Sequence, residues 1–145
     1  MRILRNPPRL LMAALLVLLG IAQPALAEVF CVATAVDFQN ALIRAAANGQ
    51  DDEVRIVQGT YVGNFVYASS EVQALSVLGG YTAGCADRTP DPANTILDGN
   101  QTNRVLVLSA PNVAAKFLVE GLTLRNGQST SGDGGGVMRG SVTTV

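Results

Sequence analysis

Few residues of this chain have the types and spacing that catalysis requires. Histidine is absent, which excludes Ser-His-Asp and Cys-His nucleophile chemistry and removes both the commonest zinc ligand and the usual proton shuttle near neutral pH. The nearest approach to a site is Asp98 with Arg104 and Arg125. A working site would need several carboxylates converging with a cation, for metal binding or proton transfer. Asp98 and Arg125 stand at neighbouring offsets from Gly99 and Gly127, so they are expected to meet on adjacent units of the fold. Their simpler role is a turn aspartate and a surface ion pair. The reading therefore assigns no catalytic, cofactor-binding or metal-ligating residue, and no cofactor.

Other polar segments have plain explanations. The acidic run Gln50-Asp51-Asp52-Glu53 lacks the alternating carboxylates of an EF-hand loop and reads as a solvated connection. Asp133, in Ser131-Gly132-Asp133-Gly134-Gly135-Gly136, lacks the Gly-Gly-x-Gly-x-Asp order of a calcium-binding nonapeptide and reads as a turn. No Lys-Ser/Thr follows those glycines, so a phosphate-cradling loop is not indicated. Asn100-Gln101-Thr102 is a formal glycosylation sequon. Tyr61, Phe65, Tyr67 and Tyr81 would form either an aromatic platform for sugar rings or a cover over the edge of the fold.

The start of the chain bears on where this chemistry would take place. Arg2, Arg5 and Arg9 precede an uncharged apolar run from Leu10 to Ala22, and Ala25-Leu26-Ala27 supplies a small-x-small pattern, so residues 1–27 read as a signal peptide cleaved between Ala27 and Glu28. The apolar run is shorter than the roughly 20 residues a bilayer core requires, so no membrane span is expected after cleavage. Removing residues 1–27 takes away three arginines and no acids, and the formal charge moves from −1 to −4. A mildly acidic domain without a basic patch gives no reason to expect nucleic acid as partner. In an oxidising compartment the two cysteines, Cys31 and Cys85, most simply form a disulfide; free thiols or metal ligands are the alternatives.

The positioning elements follow from periodicity. Thr34-Ala35-Val36-Asp37 has the form of a capping box, and Phe38, Ala41, Leu42 and Ala45 recur at helical spacing, so a helix is expected over about Val36 to Ala47 with Asn48-Gly49 as its stop. Beyond it come short aliphatic stretches, each ending in a turn glycine: Val54 to Gly59, Leu75 to Gly80, Asn94 to Gly99 and Leu122 to Gly127. Aligned on Gly59, Gly80, Gly99 and Gly127, the residue three positions earlier is Ile56, Val77, Ile96 and Leu124, always aliphatic, as one inward-facing column would require. The glycines lie 21, 19 and 28 residues apart, within the range of stacked repeat units. A small antiparallel β-sandwich is the competing architecture.

In the order of these pieces the chain resembles secreted right-handed parallel β-helix proteins, the pectate-lyase-like superfamily and its bacterial adhesin-type relatives. The matching pieces are Phe38-Gln39-Asn40-Ala41-Leu42, Gly59-Thr60-Tyr61, Leu78-Gly79-Gly80-Tyr81 up to Cys85, Ile96-Leu97-Asp98-Gly99, Val119 to Leu124, and Gly134-Gly135-Gly136-Val137. The resemblance implies an all-β solenoid with a short N-terminal capping helix, running for about three coils before Val145, as an N-terminal fragment of a longer array. The expected organisation is a signal peptide over 1–27, a helical cap over 28–53 and the first coils over 54–145. The expected function is a secreted, extracellular or periplasmic, or cell-surface scaffold, adhesin-like and non-catalytic, whose partner is a polysaccharide or another cell-surface component. The alternatives are a fragment of a polysaccharide lyase or glycoside hydrolase, which on this fold would use a basic residue and calcium held by aspartates, and a β-sandwich binding module.

Overall fold

The computed structural model describes residues 26–110, 115–129 and 135–139. Asp133, Gly134 and the greater part of the expected signal segment lie outside the described residues. Strand β1 (Glu28–Val32) leads into helix α1 (Ala35–Ala45), followed by β2 (Asp52–Val57), β3 (Gly59–Val62), β4 (Phe65–Ala68) and β5 (Leu75–Tyr81). After a short 3₁₀ turn at Ala83–Cys85 come β6 (Thr95–Asp98), β7 (Leu106–Ser109), β8 (Phe117–Glu120), β9 (Thr123–Arg125) and β10 (Val137–Arg139). The helix starts where the capping signal places it: the Thr34 hydroxyl accepts the Asp37 amide at 3.1 Å. It ends two residues short of the expected end at Ala47, and the Ser69 hydroxyl donates to the carbonyl of Ala46 at 2.7 Å.

The strands form three small sheets, ordered β1-β2-β5-β8, β3-β6-β9 and β10-β7-β4, and every strand pair within them is parallel. Among the described residues the one antiparallel contact outside them is an isolated bridge between Tyr81 and Arg88. An antiparallel sandwich is therefore set aside. The expectation of an all-β right-handed parallel β-helix is also corrected: the chain is mixed α/β, its described residues forming short strands in several small parallel sheets and one α-helix that belongs to the core. Phe38, Leu42 and Ala45 of α1 are fully buried in the same cluster as Val54, Ile56 and Leu97 of the strands. Phe38 meets Phe65 of β4 with ring centroids 4.7 Å apart. The reason is volume: apolar residues on one face of α1 fill the space between β1, β2 and β4 that strand side chains leave open.

The single column of Ile56, Val77, Ile96 and Leu124 does not exist. Register instead aligns Phe30, Val54, Val77 and Val119 across the first sheet, and Tyr61, Leu97 and Leu124 across the second. Gly59 opens β3 and Gly80 lies inside β5, whereas Gly99 and Gly127 follow β6 and β9. Three of the glycines border strands of the second sheet, and Gly80 sits within a strand of the first, so an alignment by spacing merges unlike positions. Gly80 has φ +96°, and a Cβ there would run into the Thr89 carbonyl, so backbone packing demands glycine at that point.

At the edge of the third sheet a side chain replaces a strand. Phe65 donates its amide to Val105, so Val66 directs its own amide and carbonyl away from β7. The Gln39 carboxamide meets both: it accepts from the Val66 amide and donates to the Val66 carbonyl, each at 2.9 Å.

Candidate functional site

The polar cluster at the end of β6 is the place where sequence and structure agree on a candidate. Parallel pairing puts Asp98 directly beside Arg125, and the Arg125 Nε donates to Asp98 Oδ2 at 2.8 Å. The Asn126 amide reaches both carboxylate oxygens at 3.0 Å, and the Asn100 backbone amide donates to Oδ1 at 2.9 Å. Sequence reasoning missed Asn126; its signal is the Asn-Gly pair following β9, which favours the left-handed conformation seen there (φ 53°). Arg104 goes elsewhere: its guanidinium donates to Ser129 at 3.0 Å, and its carbonyl accepts from Asn64 at 3.0 Å.

The Asn100 amide, then Asn126 and then Arg125 hold the Asp98 carboxyl below the usual carboxylate range. A carboxylate so engaged is a weak proton acceptor. Its geometry fixes the turn from β6 and fastens that turn to β9, as the plain reading proposed.

The remaining candidates separate clearly. Tyr61, Phe65, Tyr67 and Tyr81 are all buried, at 8% exposure or less, so none serves an exposed sugar platform. The Tyr61 hydroxyl donates to the Val57 carbonyl at 2.7 Å, and burial above all pushes its pKa up to about 12. Tyr81 lies with Val57, Leu78 and Cys85 on the outer side of the first sheet, between the guanidinium groups of Arg55 and Arg88. In the run Gln50 to Glu53, Asp52 is not solvated: it opens β2, is 5% exposed and accepts from Asn48 at 2.8 Å. Asn100 and Thr102 of the sequon are exposed.

Cys31 and Cys85 form a disulfide, with S–S 2.08 Å and Cα atoms 5.8 Å apart, between residues 54 positions apart in sequence. The bond runs from β1 to the turn after β5, beside the carbonyl of Arg55 on the intervening strand. Ala27 is exposed, and Glu28 is the first residue of β1. Among the described residues no group of three or more His, Cys, Asp or Glu side chains is arranged to hold a metal ion. Nor is any helix among them long and apolar enough to cross a membrane.

Two shallow grooves border α1. One, of about 200 Å³, lies between the helix and β1 and is lined by Phe30, Cys31, Asp37, Asn40 and Arg44; the other, of about 300 Å³, lies against Val36, Gln39, Val62 and Phe65. No family model, no curated protein and no solved structure matches this chain.

Proposed function

We propose that this chain is a secreted or cell-surface scaffold that acts by presenting a stable surface rather than by catalysis, with a polysaccharide or another cell-surface component as its ligand. The observation that carries this reading is the Cys31–Cys85 bond. Such a bond persists in secreted, periplasmic and surface proteins and is lost to reduction in most cytosols. The polar groups agree with that role, since Asp98, Arg125 and Asn126 are spent on holding turns together.

Two measurements on the protein from its own cells test the reading. Thiol labelling before and after reduction, with cell fractionation, is expected to find both cysteines oxidised in an extracytoplasmic fraction. Reduced thiols in the cytoplasm would overturn the assignment. Incubation with a panel of neutral and acidic polysaccharides is expected to show retention on the polymer without release of reducing ends or unsaturated uronides. Release of either would replace the scaffold with a lyase or hydrolase.

A further inference from the structure

Four carboxylates gather where the first sheet begins. The Glu28 side chain pairs with Arg44 and accepts from Asn48 at 3.0 Å, and the same Asn48 nitrogen donates to Asp52 at 2.8 Å. Glu71, from the loop before β5, accepts the Gly49 amide at 3.0 Å, and Asp51 accepts the Ala74 amide at 2.8 Å. Burial, followed in size by the opposing effect of the Asn48 hydrogen bond and then by the charges of Glu28, Glu71 and Asp51, leaves Asp52 above its ordinary value. Arg44 of α1 is the cation that contacts this group among the described residues, because Arg55 on β2 turns to Glu53 at 2.5 Å.

The backbone nitrogen of Glu28 lies within this group. It donates to the Asp51 carbonyl at 3.1 Å, and Glu28 is in register with Asp52. Immediately before it Ala27 is exposed and Leu26 is 82% exposed. Among the described residues paired structure therefore begins at the bond that the Ala25-Leu26-Ala27 pattern marks for cleavage.

We propose that cleavage between Ala27 and Glu28 installs a structural cation. Water is consumed, the Ala27 carbonyl leaves as a carboxylate, and the Glu28 nitrogen becomes an ammonium. That ammonium stays in the β1–β2 ladder, keeps its hydrogen bond to the Asp51 carbonyl, and offsets the charges of Glu28, Asp51, Asp52 and Glu71. Processing thus adds to this corner a positive charge beside that of Arg44, the cation that contacts it among the described residues. The inference rests on the secretory reading above, and its test distinguishes the two.

The full precursor carrying Lys116→Arg is exported from a secreting host, so that the α-amine is the sole primary amine of the product, Lys116 being the only lysine. Intact mass is expected to show a product beginning at Glu28; an uncleaved, unexported chain overturns the secretory reading and the inference with it, and an exported product with another start overturns the inference alone. With that start in hand, reductive methylation of the amine retains its charge and carbamylation removes it. The methylated product is expected to melt with the unmodified one, and the carbamylated product a few degrees lower at neutral pH. That difference should vanish as acid protonates the carboxylates. The ¹³C-methyl signal of the amine is expected to titrate above the ordinary α-amino range of roughly 7.7–8.0. Equal melting of all three forms, with an ordinary titration, would overturn the coupling while leaving secretion intact.

Discussion

Replacing Phe38 by Ala tests whether α1 is part of the core. The side chain is fully buried, its ring stands against Phe65, and its neighbours on the helix face, Leu42 and Ala45, are equally enclosed. Truncating a buried Phe costs about 3–5 kcal/mol, through lost transfer energy and the cavity left behind. The tilted contact with Phe65 adds about 0.5–1.5 kcal/mol beyond burial, so Phe38→Leu, which keeps most of the apolar volume, should cost about 1 kcal/mol. Val36→Ala is the control: at 68% exposure it should change stability by no more than about 0.5 kcal/mol. Urea unfolding followed in parallel by far-UV circular dichroism and tyrosine fluorescence would measure all three. For a domain whose whole stability is about 5–15 kcal/mol, Phe38→Ala should move the midpoint sharply, with the two probes still coincident. A cost below about 1.5 kcal/mol, or helix signal lost well before tyrosine fluorescence changes, would show that α1 rests on the strands without belonging to their core.

Three further outcomes are expected. Replacing both Cys31 and Cys85 by Ser should cost about 4 kcal/mol on the chain-entropy account for a loop of this length, measured by denaturation against the oxidised parent; a loss under about 1 kcal/mol would count against that account. For Asp98, whose carboxyl is held low, the stabilising contribution is present above the ordinary carboxylate pKa and is lost as pH falls through its depressed folded value. Asp98→Asn should therefore lower the melting temperature at neutral pH, with the gap closing in acid, and a gap independent of pH would refute the assignment. Asp52 has the opposite sign: with its pKa raised by burial, its ionisation costs stability once pH exceeds the folded value. Asp52→Asn, which can still accept from Asn48, should melt at or above the parent temperature at neutral pH and lose that advantage below the ordinary carboxylate pKa; a lower melting temperature at neutral pH would sink this reading.

Local signals proved more legible than their assembly. The helix could be read because Thr34 and Asp37 announce its start and Phe38, Ala41, Leu42 and Ala45 recur on one face. The disulfide was readable because the chain has only two cysteines. The meeting of Asp98 with Arg125 followed from their offsets, although the true alignment of β6 with β9 differs by one residue from the glycine alignment. What failed was the inference from repeated strand-glycine units to an all-β solenoid. A glycine after an aliphatic strand marks a turn, but it does not say which sheet the strand belongs to, and the burial of α1 among the strands leaves no trace in strand spacing. Strand β4 was missed for a related reason. Phe65-Val66-Tyr67-Ala68 alternates buried and exposed residues with period two, a strand signal that its aromatic content disguised as a surface feature. The burial of Asp52 was invisible because neighbouring acidic residues made it look solvated.

The pairing of Gln39 with Val66 gives the third sheet a polarity. An edge strand normally offers its outward amides and carbonyls to any extended chain that arrives, and at Val66 that offer is already taken by a side chain 27 residues earlier in sequence. Mispairing at that edge would first have to dislodge the carboxamide and, with it, a helix anchored by Phe38 and Leu42. The same bond ties the sheet to the helix: Val66 has its partners on that side only while α1 presents Gln39. Helix formation is thereby tied to the protection of a distant strand, and a sequence change that frays α1 would be felt as a stickier surface as well as a weaker core.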